Sequence, residues 1–179
     1  MTICTQRREC LFGDVADEGM RLNGFGIVIQ EFWKTISNRF KNIELDEFII
    51  MPNHMHGIIV ISNNDCRTCR GEVSSPNPSS DSKPNHGDIY VKQGGETPPL
   101  QKQTLGRVIA HFKYQSAKRI NQIRNTAGMS VWQRNYYEHV IRNDDELNRI
   151  REYIINNPLQ WADDENNPMN IAKREIGAE

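Results

Sequence analysis

Two histidines, His54 and His56, lie two residues apart in "IIMPNHMHGIIVI", the most hydrophobic segment of the chain. Side chains two residues apart on a β-strand point to the same face, so Met55 between them turns to the opposite layer. Two neutral imidazoles side by side supply half of a site for a divalent metal ion. The alternative is a pair of hydrogen-bonded strand histidines, and the His-X-His pattern alone does not separate the two.

The last predicted helix, "NDDELNRIREYIINNP", offers a reacting group and a third ligand. Tyr153 and Asn157 are four residues apart and therefore share one helical face. That face borders an apolar stripe that should pack on the sheet, formed by Leu147, Ile150 and Ile154. The pattern favours metal ligands on a strand, with a nucleophile and an amide oxygen on the helix that covers it. A buried tyrosine and an ordinary asparagine at a helix end are the alternatives.

A second predicted helix, from Thr104 to about Asn125, carries a basic stripe. Between Glu96 and Glu138 the chain has no acidic residue but seven basic ones: Lys102, Arg107, Lys113, Lys118, Arg119, Arg124 and Arg134. One face of the helix, opposite its apolar face, combines Arg107, His111, Tyr114 and Lys118. Basic side chains with an interleaved aromatic ring suit a phosphate backbone with unstacked bases. The predicted DNA-contacting residues are Arg107, Tyr114, Lys118, Arg119 and Arg134, and a merely solvated helix face is the alternative.

The order of the elements predicts an α+β fold with an antiparallel sheet. Strands are expected at "MTICTQ", "IELDEFIIMP", "MHGIIVIS" and "SVWQRNYYEHVI", with a hairpin near residues 11–26. Helices are expected from Asn23, from Thr104 and from Asn143, where Glu146 would complete a capping box. The core face of the second helix is expected to include Leu105, Val108, Ile109, Phe112 and Ile123.

The composition is that of an ordinary soluble protein of 179 residues, with 37% hydrophobic and 25% charged residues. The length suggests one domain over residues 1–179, and the formal net charge of −1 argues for no class of partner. No signal peptide or membrane-length apolar run occurs, which predicts a cytoplasmic protein without a membrane partner.

Residues 63–103 are rich in Ser, Pro, Gly and Asn, which predicts a flexible insertion. The polar tail after about residue 160 is expected to fray. Cys66 and Cys69 form a single Cys-X-X-Cys in the insertion. No second pair follows, so two free thiols are favoured over a zinc site.

Two of these segments together carry a family resemblance. "FIIMPNHMHGIIVI" and "VWQRNYYEHVIRNDDELNRIREYIINNP" resemble the REP-associated tyrosine transposases, relatives of the single-strand DNA transposases that combine an HUH motif with one catalytic tyrosine. The resemblance covers most of the chain outside residues 63–103. It implies a ferredoxin-like α+β sandwich with a central antiparallel sheet and helices packed on it. It also implies His54 and His56 as ligands of Mg²⁺ or Mn²⁺, Tyr153 as nucleophile, and Asn157 where a Gln or Asn of the family completes the metal site.

The activity that the resemblance implies is cutting and rejoining of single-stranded DNA beside hairpins of palindromic repeats, through a 5′-phosphotyrosine intermediate. Two rival functions stay open: a catalytically silent, domesticated hairpin-binding protein, and a metal-dependent hydrolase that uses water while Tyr153 is structural. Family members usually carry a longer segment before "TICTQ" that helps to recognise the foot of the hairpin, so this departure bears on hairpin specificity. The oligomeric state is open between a monomer and a homodimer.

Overall fold

A computed structural model describes residues 1–17, 19–62 and 104–170. The predicted insertion, with Cys66 and Cys69, lies outside the described residues, as do residues 171–179. The described elements in chain order are β1 (Thr2–Cys4), β2 (Gly13–Ala16), β3 (Gly19–Leu22), α1 (Gly24–Lys34), α2 (Ile36–Arg39), β4 (Ile43–Ile50), β5 (His54–Ile61), α3 (Leu105–Ile123) and α4 (Asp144–Asn156). Short 3₁₀ turns at Gln6–Arg8 and Asn157–Gln160 follow β1 and α4.

The central sheet is antiparallel, with β5 between β1 and β4. A fourth segment, residues 131–137, runs along the free side of β1 and is called the edge segment below. It meets β1 through two isolated bridges, Thr2 with Tyr137 and Thr5 with Trp132. The predicted continuous strand is therefore wrong here. Carbonyl groups of Gln133 and Asn135 accept hydrogen bonds from Lys113 Nζ at 2.9 and 2.8 Å instead of joining the sheet ladder.

Counting the edge segment, the chain follows the β-α-β-β-α-β order of a ferredoxin-like fold. The predicted α+β class, with a central antiparallel sheet and helices packed on it, is confirmed. The expected hairpin is also present, since β2 and β3 pair over residues 13–22. It forms a separate two-stranded sheet.

The main core lies on the face of the sheet that α1 and α3 cover. Alternation along the strands turns Ile3 and Met55 to this face, where both are fully buried. Trp33 of α1 packs so closely on β5 that a Cβ atom at Gly57 would lie 2.6 Å from its ring. Glycine is therefore the residue that fits this position of β5.

The predicted core face of α3 is confirmed for its middle residues and wrong at its end. Val108, Ile109 and Phe112 are buried, whereas Ile123 is 47% exposed. Ile120, three residues earlier, is fully buried and takes the last core position of the helix.

The other face of the sheet is covered by α4. Its predicted N-cap is confirmed: Asn143 Oδ1 accepts a hydrogen bond from Glu146 N at 2.9 Å. The Glu146 carboxylate reaches back to Arg142 N rather than to Asn143 N, so the reciprocal half of the expected capping box is displaced by one residue. Arg151 joins α4 to β4 with a two-point contact to Asp46, from Nε to Oδ1 at 2.9 Å and from Nη2 to Oδ2 at 2.5 Å.

Residues 161–170 pack against the rest of the described chain, whereas the sequence predicts a polar tail that frays. Asn166 and Asn167 are buried there. Asn53 Nδ2 donates to Asn166 O at 2.6 Å, and Arg8 Nη1 donates to Asn166 Oδ1 at 2.6 Å. Polar side chains thus order this segment by satisfying backbone groups rather than by apolar burial.

In the described part of the chain, no helix combines the length and the apolar character needed to cross a membrane.

Candidate active site

His54 and His56 lie side by side on β5, beneath α4, and both are buried. Their Nε2 atoms are 3.1 Å apart, which is a hydrogen-bond distance, as the alternative of two hydrogen-bonded strand histidines also predicts. The tautomer of His54 follows from its neighbour: Asn53 Nδ2 donates to two backbone carbonyls, so Asn53 Oδ1 is the acceptor for His54 Nδ1 at 2.9 Å. In the neutral ring His54 Nε2 then carries a lone pair, directed at His56.

His56 is held from the neighbouring strand. Thr2 is its partner across β1 and β5, and Thr2 Oγ1 lies 2.8 Å from His56 Nδ1. A hydroxyl group can donate or accept, so this contact suits either tautomer of the imidazole. When Nδ1 carries the proton and donates to Thr2, both Nε2 lone pairs are available to one cation.

Burial keeps both imidazoles neutral. It lowers the pKa of His54 to about 4, an effect that the nearby Asp164 carboxylate opposes. It lowers the pKa of His56 to about 3, and the charge of a protonated His54 would lower it further. Two uncharged nitrogen ligands without mutual repulsion are what a metal ion requires at neutral pH.

Tyr153 and Asn157 reach the same place from α4. The Tyr153 ring lies edge-on to the His56 ring, with 5.2 Å between centroids, and the residue is 45% exposed. Burial, with a further contribution from Asp164, raises the pKa of the Tyr153 phenol, while a hydrogen bond from Asn157 opposes the shift. The phenol is therefore protonated at neutral pH, and the predicted nucleophile is accessible from solvent.

Asn157 provides an unpaired acceptor. The residue is 1% exposed, and its Oδ1 atom accepts no hydrogen bond of normal geometry from the described residues. Asn157 nevertheless lies near enough to His54 to affect the pKa of that imidazole. A buried carbonyl oxygen without a partner costs free energy, and a bound cation would offset this cost.

The spacing of the two imidazoles fits a divalent cation. Two ligand atoms about 2.1 Å from one ion, at right angles, are about 3 Å apart, which agrees with the 3.1 Å between the imidazole Nε2 atoms. Among the described residues, no three His, Cys, Asp or Glu side chains form a metal-binding group. The two imidazoles and the Asn157 amide oxygen could hold Mg²⁺ or Mn²⁺, with the Asp164 carboxylate beside them.

Two residues at the site come from the segment that was expected to fray. The carboxylate of Asp164 is nearly buried, and its Oδ2 atom lies 3.8 Å from His54 Nε2. The Trp161 ring lies against the His54 ring, with 5.9 Å between centroids. In the sequence, their only signal is the turn-forming composition of "WADDENNP", which does not indicate where the segment lies.

The residues predicted to bind DNA lie mainly elsewhere. Tyr114, Lys118 and Arg134 line a groove of about 880 Å³ between α3 and residues 127–134. Arg107 and Arg119 are exposed on α3. Because α3 packs on the opposite face of the sheet from His54 and His56, this groove does not contain the histidines.

A second cleft, of about 1640 Å³, contains the candidate site, including His56, Tyr153, Asn157 and Asp164. Gln133 of the edge segment lines both the cleft and the α3 groove. The two depressions therefore meet at the edge of the sheet.

The sequence was compared with protein families and with curated proteins. A search with protein-family models finds none that matches the chain. Among curated proteins, an uncharacterized protein of Haemophilus influenzae is 35% identical over 165 residues, which are 92% of this chain and 82% of that protein.

Proposed function

This chain belongs to the same family as the Haemophilus influenzae protein, and for it we propose a metal-dependent activity that nicks and rejoins single-stranded DNA through Tyr153. The observation that carries the proposal is the convergence of three donors and one hydroxyl group. The imidazole of His56, the unpaired buried amide oxygen of Asn157 and the accessible phenol of Tyr153 line one cleft, and the neutral imidazole of His54 lies directly behind His56. The resemblance of both motifs to the tyrosine transposases supplies the reaction class.

His54, His56 and Asn157 would hold the divalent ion. When bound, the ion would polarise the scissile phosphate and stabilise the negative charge on its oxygen atoms. Tyr153 Oη attacks the phosphorus, forming a bond to the 5′ side while the bond to the 3′ oxygen breaks. The phenol loses its proton in this step, and the departing 3′ oxygen gains one. Attack by a 3′-hydroxyl group on the phosphotyrosine reverses the bond changes and joins two strands without ATP.

Rigid positioning of the nucleophile is the contribution of the fold. The N-cap at Asn143 fixes the start of α4, and the contact between Arg151 and Asp46 ties the helix to β4 two residues before Tyr153. Because the phenol is held against the imidazoles, the nucleophile does not have to find the scissile phosphate by diffusion once the DNA is bound.

The proposed substrate is single-stranded DNA with hairpins from palindromic repeats, and the proposed location of the protein is the cytoplasm. Lys118 and Arg134 in the α3 groove would contact phosphates remote from the cut, since that groove meets the cleft at Gln133.

The direct test incubates the protein with labelled hairpin oligonucleotides from the repeats that flank its gene, in the presence of Mn²⁺. The proposal expects a denaturation-resistant protein–DNA adduct, with peptide mapping of the link to Tyr153. Cleavage without any adduct would indicate a hydrolase that uses water. Tight binding without cleavage would indicate a hairpin-binding protein.

A further inference from the structure

A row of side chains crosses the sheet at the level of His56. Thr2 pairs with His56 on one side and with Tyr137 on the other. Residues directly opposite one another in antiparallel pairs project from the same face of the sheet. The Tyr137 side chain therefore projects from the face that carries His56, about 10 Å away at the Cα atoms.

Tyr137 has the properties of a stacking platform. Its backbone is fixed by two hydrogen bonds to Thr2, from Thr2 N to Tyr137 O at 2.8 Å and from Tyr137 N to Thr2 O at 2.9 Å. Its side chain is nevertheless exposed, at 68% of the residue surface, and lines the same cleft as Tyr153. A rigid backbone with an accessible ring offers a π-face at little entropic cost.

The other aromatic rings near the cleft are engaged or distant. Tyr136 is half-buried, with Lys113 Nζ 5.6 Å from the centre of its ring. Tyr114 lines the α3 groove on the other face of the sheet. Among the described tyrosines other than Tyr153, Tyr137 is thus the one that combines high exposure with a place in the cleft of the proposed nucleophile.

Two arginines of the cleft offer contacts to phosphate groups. Arg142 and Arg149 line it near the N-terminal half of α4, among the carboxylates of Glu138, Asp144 and Glu146. Asp163, Asp164 and Glu165 line it beyond the C-terminal end of α4, together with Arg8. A phosphate backbone in the cleft would be attracted to the guanidinium groups and repelled by the carboxylates.

We infer that Tyr137 forms a nucleobase subsite, on which the base beside the scissile phosphate stacks. The inference rests on the proposed function for its substrate class, single-stranded DNA, but not on cleavage itself. Glu138 and Arg142 follow Tyr137 in sequence, one and five residues later, and line the cleft with it. The Tyr137 ring would stack on the face of a nucleobase, while Arg142 and Arg149 offer contacts to the neighbouring phosphates.

The test measures binding in a background that cannot cut. Single-stranded oligonucleotides carry the fluorescent base 2-aminopurine at one position at a time and are titrated with Tyr153→Phe protein. One position should be quenched on binding. Adding Tyr137→Ala should remove the quenching and weaken binding at least about fivefold. Tyr137→Phe and Tyr137→Trp should retain both, and Tyr114→Ala should leave the quenched position unchanged.

These variants leave the Tyr137 backbone hydrogen bonds in place, so loss of the fold is not expected, and circular dichroism checks it. Unchanged quenching and affinity in Tyr137→Ala would overturn the inference, as would a loss in Tyr137→Phe equal to that in Tyr137→Ala. Failure of the wild-type protein to form an adduct, with position-specific quenching intact, would contradict strand transfer and leave the subsite standing. Absence of single-strand binding would overturn both.

Discussion

The hydroxyl oxygen of Thr2 lies 2.8 Å from Nδ1 of His56, so β1 holds the second histidine of the pair in place. A partner on the far nitrogen fixes the orientation of an imidazole and raises its basicity as a ligand. The metal affinity of the site should therefore depend on a residue that has no ligand atom of its own in the predicted set.

Thr2→Val keeps the shape of the side chain and removes the hydroxyl. We expect Mn²⁺ affinity to fall between about tenfold and a hundredfold, because His56 loses its orienting partner. Thr2→Ser should restore most of the affinity. The Mn²⁺ affinity can be measured by quenching of Trp161 fluorescence, because the Trp161 ring lies 5.9 Å from the His54 ring between centroids. The Trp161→Phe variant shows which part of the fluorescence signal comes from this residue. Thr35→Val, at the end of α1, is a matched control, and an affinity in Thr2→Val equal to that of the control would contradict the role.

The sequence predicts the position of α4 and its N-cap well. The cap at Asn143 and the four-residue spacing of Tyr153 and Asn157 are local features, and local features determine which residues share a helical face. The predicted apolar stripe is confirmed only for Ile154, which is buried, whereas Leu147 and Ile150 are half-buried and line the cleft. The His-X-His pair follows equally from strand alternation, since it needs no knowledge of other elements.

Contacts between distant positions are not predictable in this way. Thr2 faces His56 only in the observed register, and a slip by one residue would turn it to the opposite face. Asp164 reaches His54 because Asn53 and Arg8 bind the segment around Asn166, which is a tertiary effect without local periodicity. The basic stripe of α3 is visible in the sequence, but the face of the sheet on which α3 packs is not.

The free energy of unfolding should depend on pH because both imidazoles are held neutral in the folded protein. Their pKa values in the folded protein are about 4 for His54 and about 3 for His56, below the ordinary value of 6.5. Below about pH 6.5 the unfolded chain binds more protons than the folded one, so the free energy of unfolding falls as pH falls from there toward pH 4. Each histidine contributes a slope of up to about 1.4 kcal/mol per pH unit.

His56→Gln removes one of these two terms. In the presence of a chelator, its unfolding free energy from urea denaturation should fall less steeply than that of the wild type between about pH 6.5 and pH 4. Carboxylates such as Asp46, whose pKa the hydrogen bond from Arg151 lowers, act equally in both proteins and cancel in the difference. Parallel curves for the two proteins would show that His56 is not held neutral by burial.

The α3 groove should contribute to DNA affinity through its positive charge and take no part in the cleavage step. Lys118→Ala and Arg134→Ala should each weaken single-stranded DNA binding and reduce the slope of log affinity against log salt by about 0.7. Arg107→Ala should have the same effect if α3 contacts the strand beyond the groove. Lys34→Ala, exposed at the end of α1, is the control. Titrations at several salt concentrations give the slopes, and slopes equal to the control would show a merely solvated helix face.

Arg151 and Asp46 should position the nucleophile. Asp46→Asn leaves Arg151 without its carboxylate partner, so we expect adduct formation to slow by about ten- to a hundredfold while DNA affinity is kept. The exchanged pair, Asp46→Arg with Arg151→Asp, should recover part of the rate. Single-turnover cleavage beside equilibrium binding separates the two effects. Equal losses of rate in the single and the exchanged variants would point to general destabilisation instead.

The most direct measurement is the yield of covalent adduct from Tyr153→Phe beside the wild type, with Mn²⁺ and a labelled hairpin oligonucleotide. The substitution keeps the ring that lies 5.2 Å from His56 between centroids and removes only the attacking oxygen. We predict an unchanged fold, Mn²⁺ affinity and DNA affinity, with no adduct. His54→Ala should lack adduct because it loses metal, and Tyr137→Phe should still form it. Adduct from Tyr153→Phe at the wild-type yield, or a link mapped to another tyrosine, would contradict Tyr153 as the nucleophile.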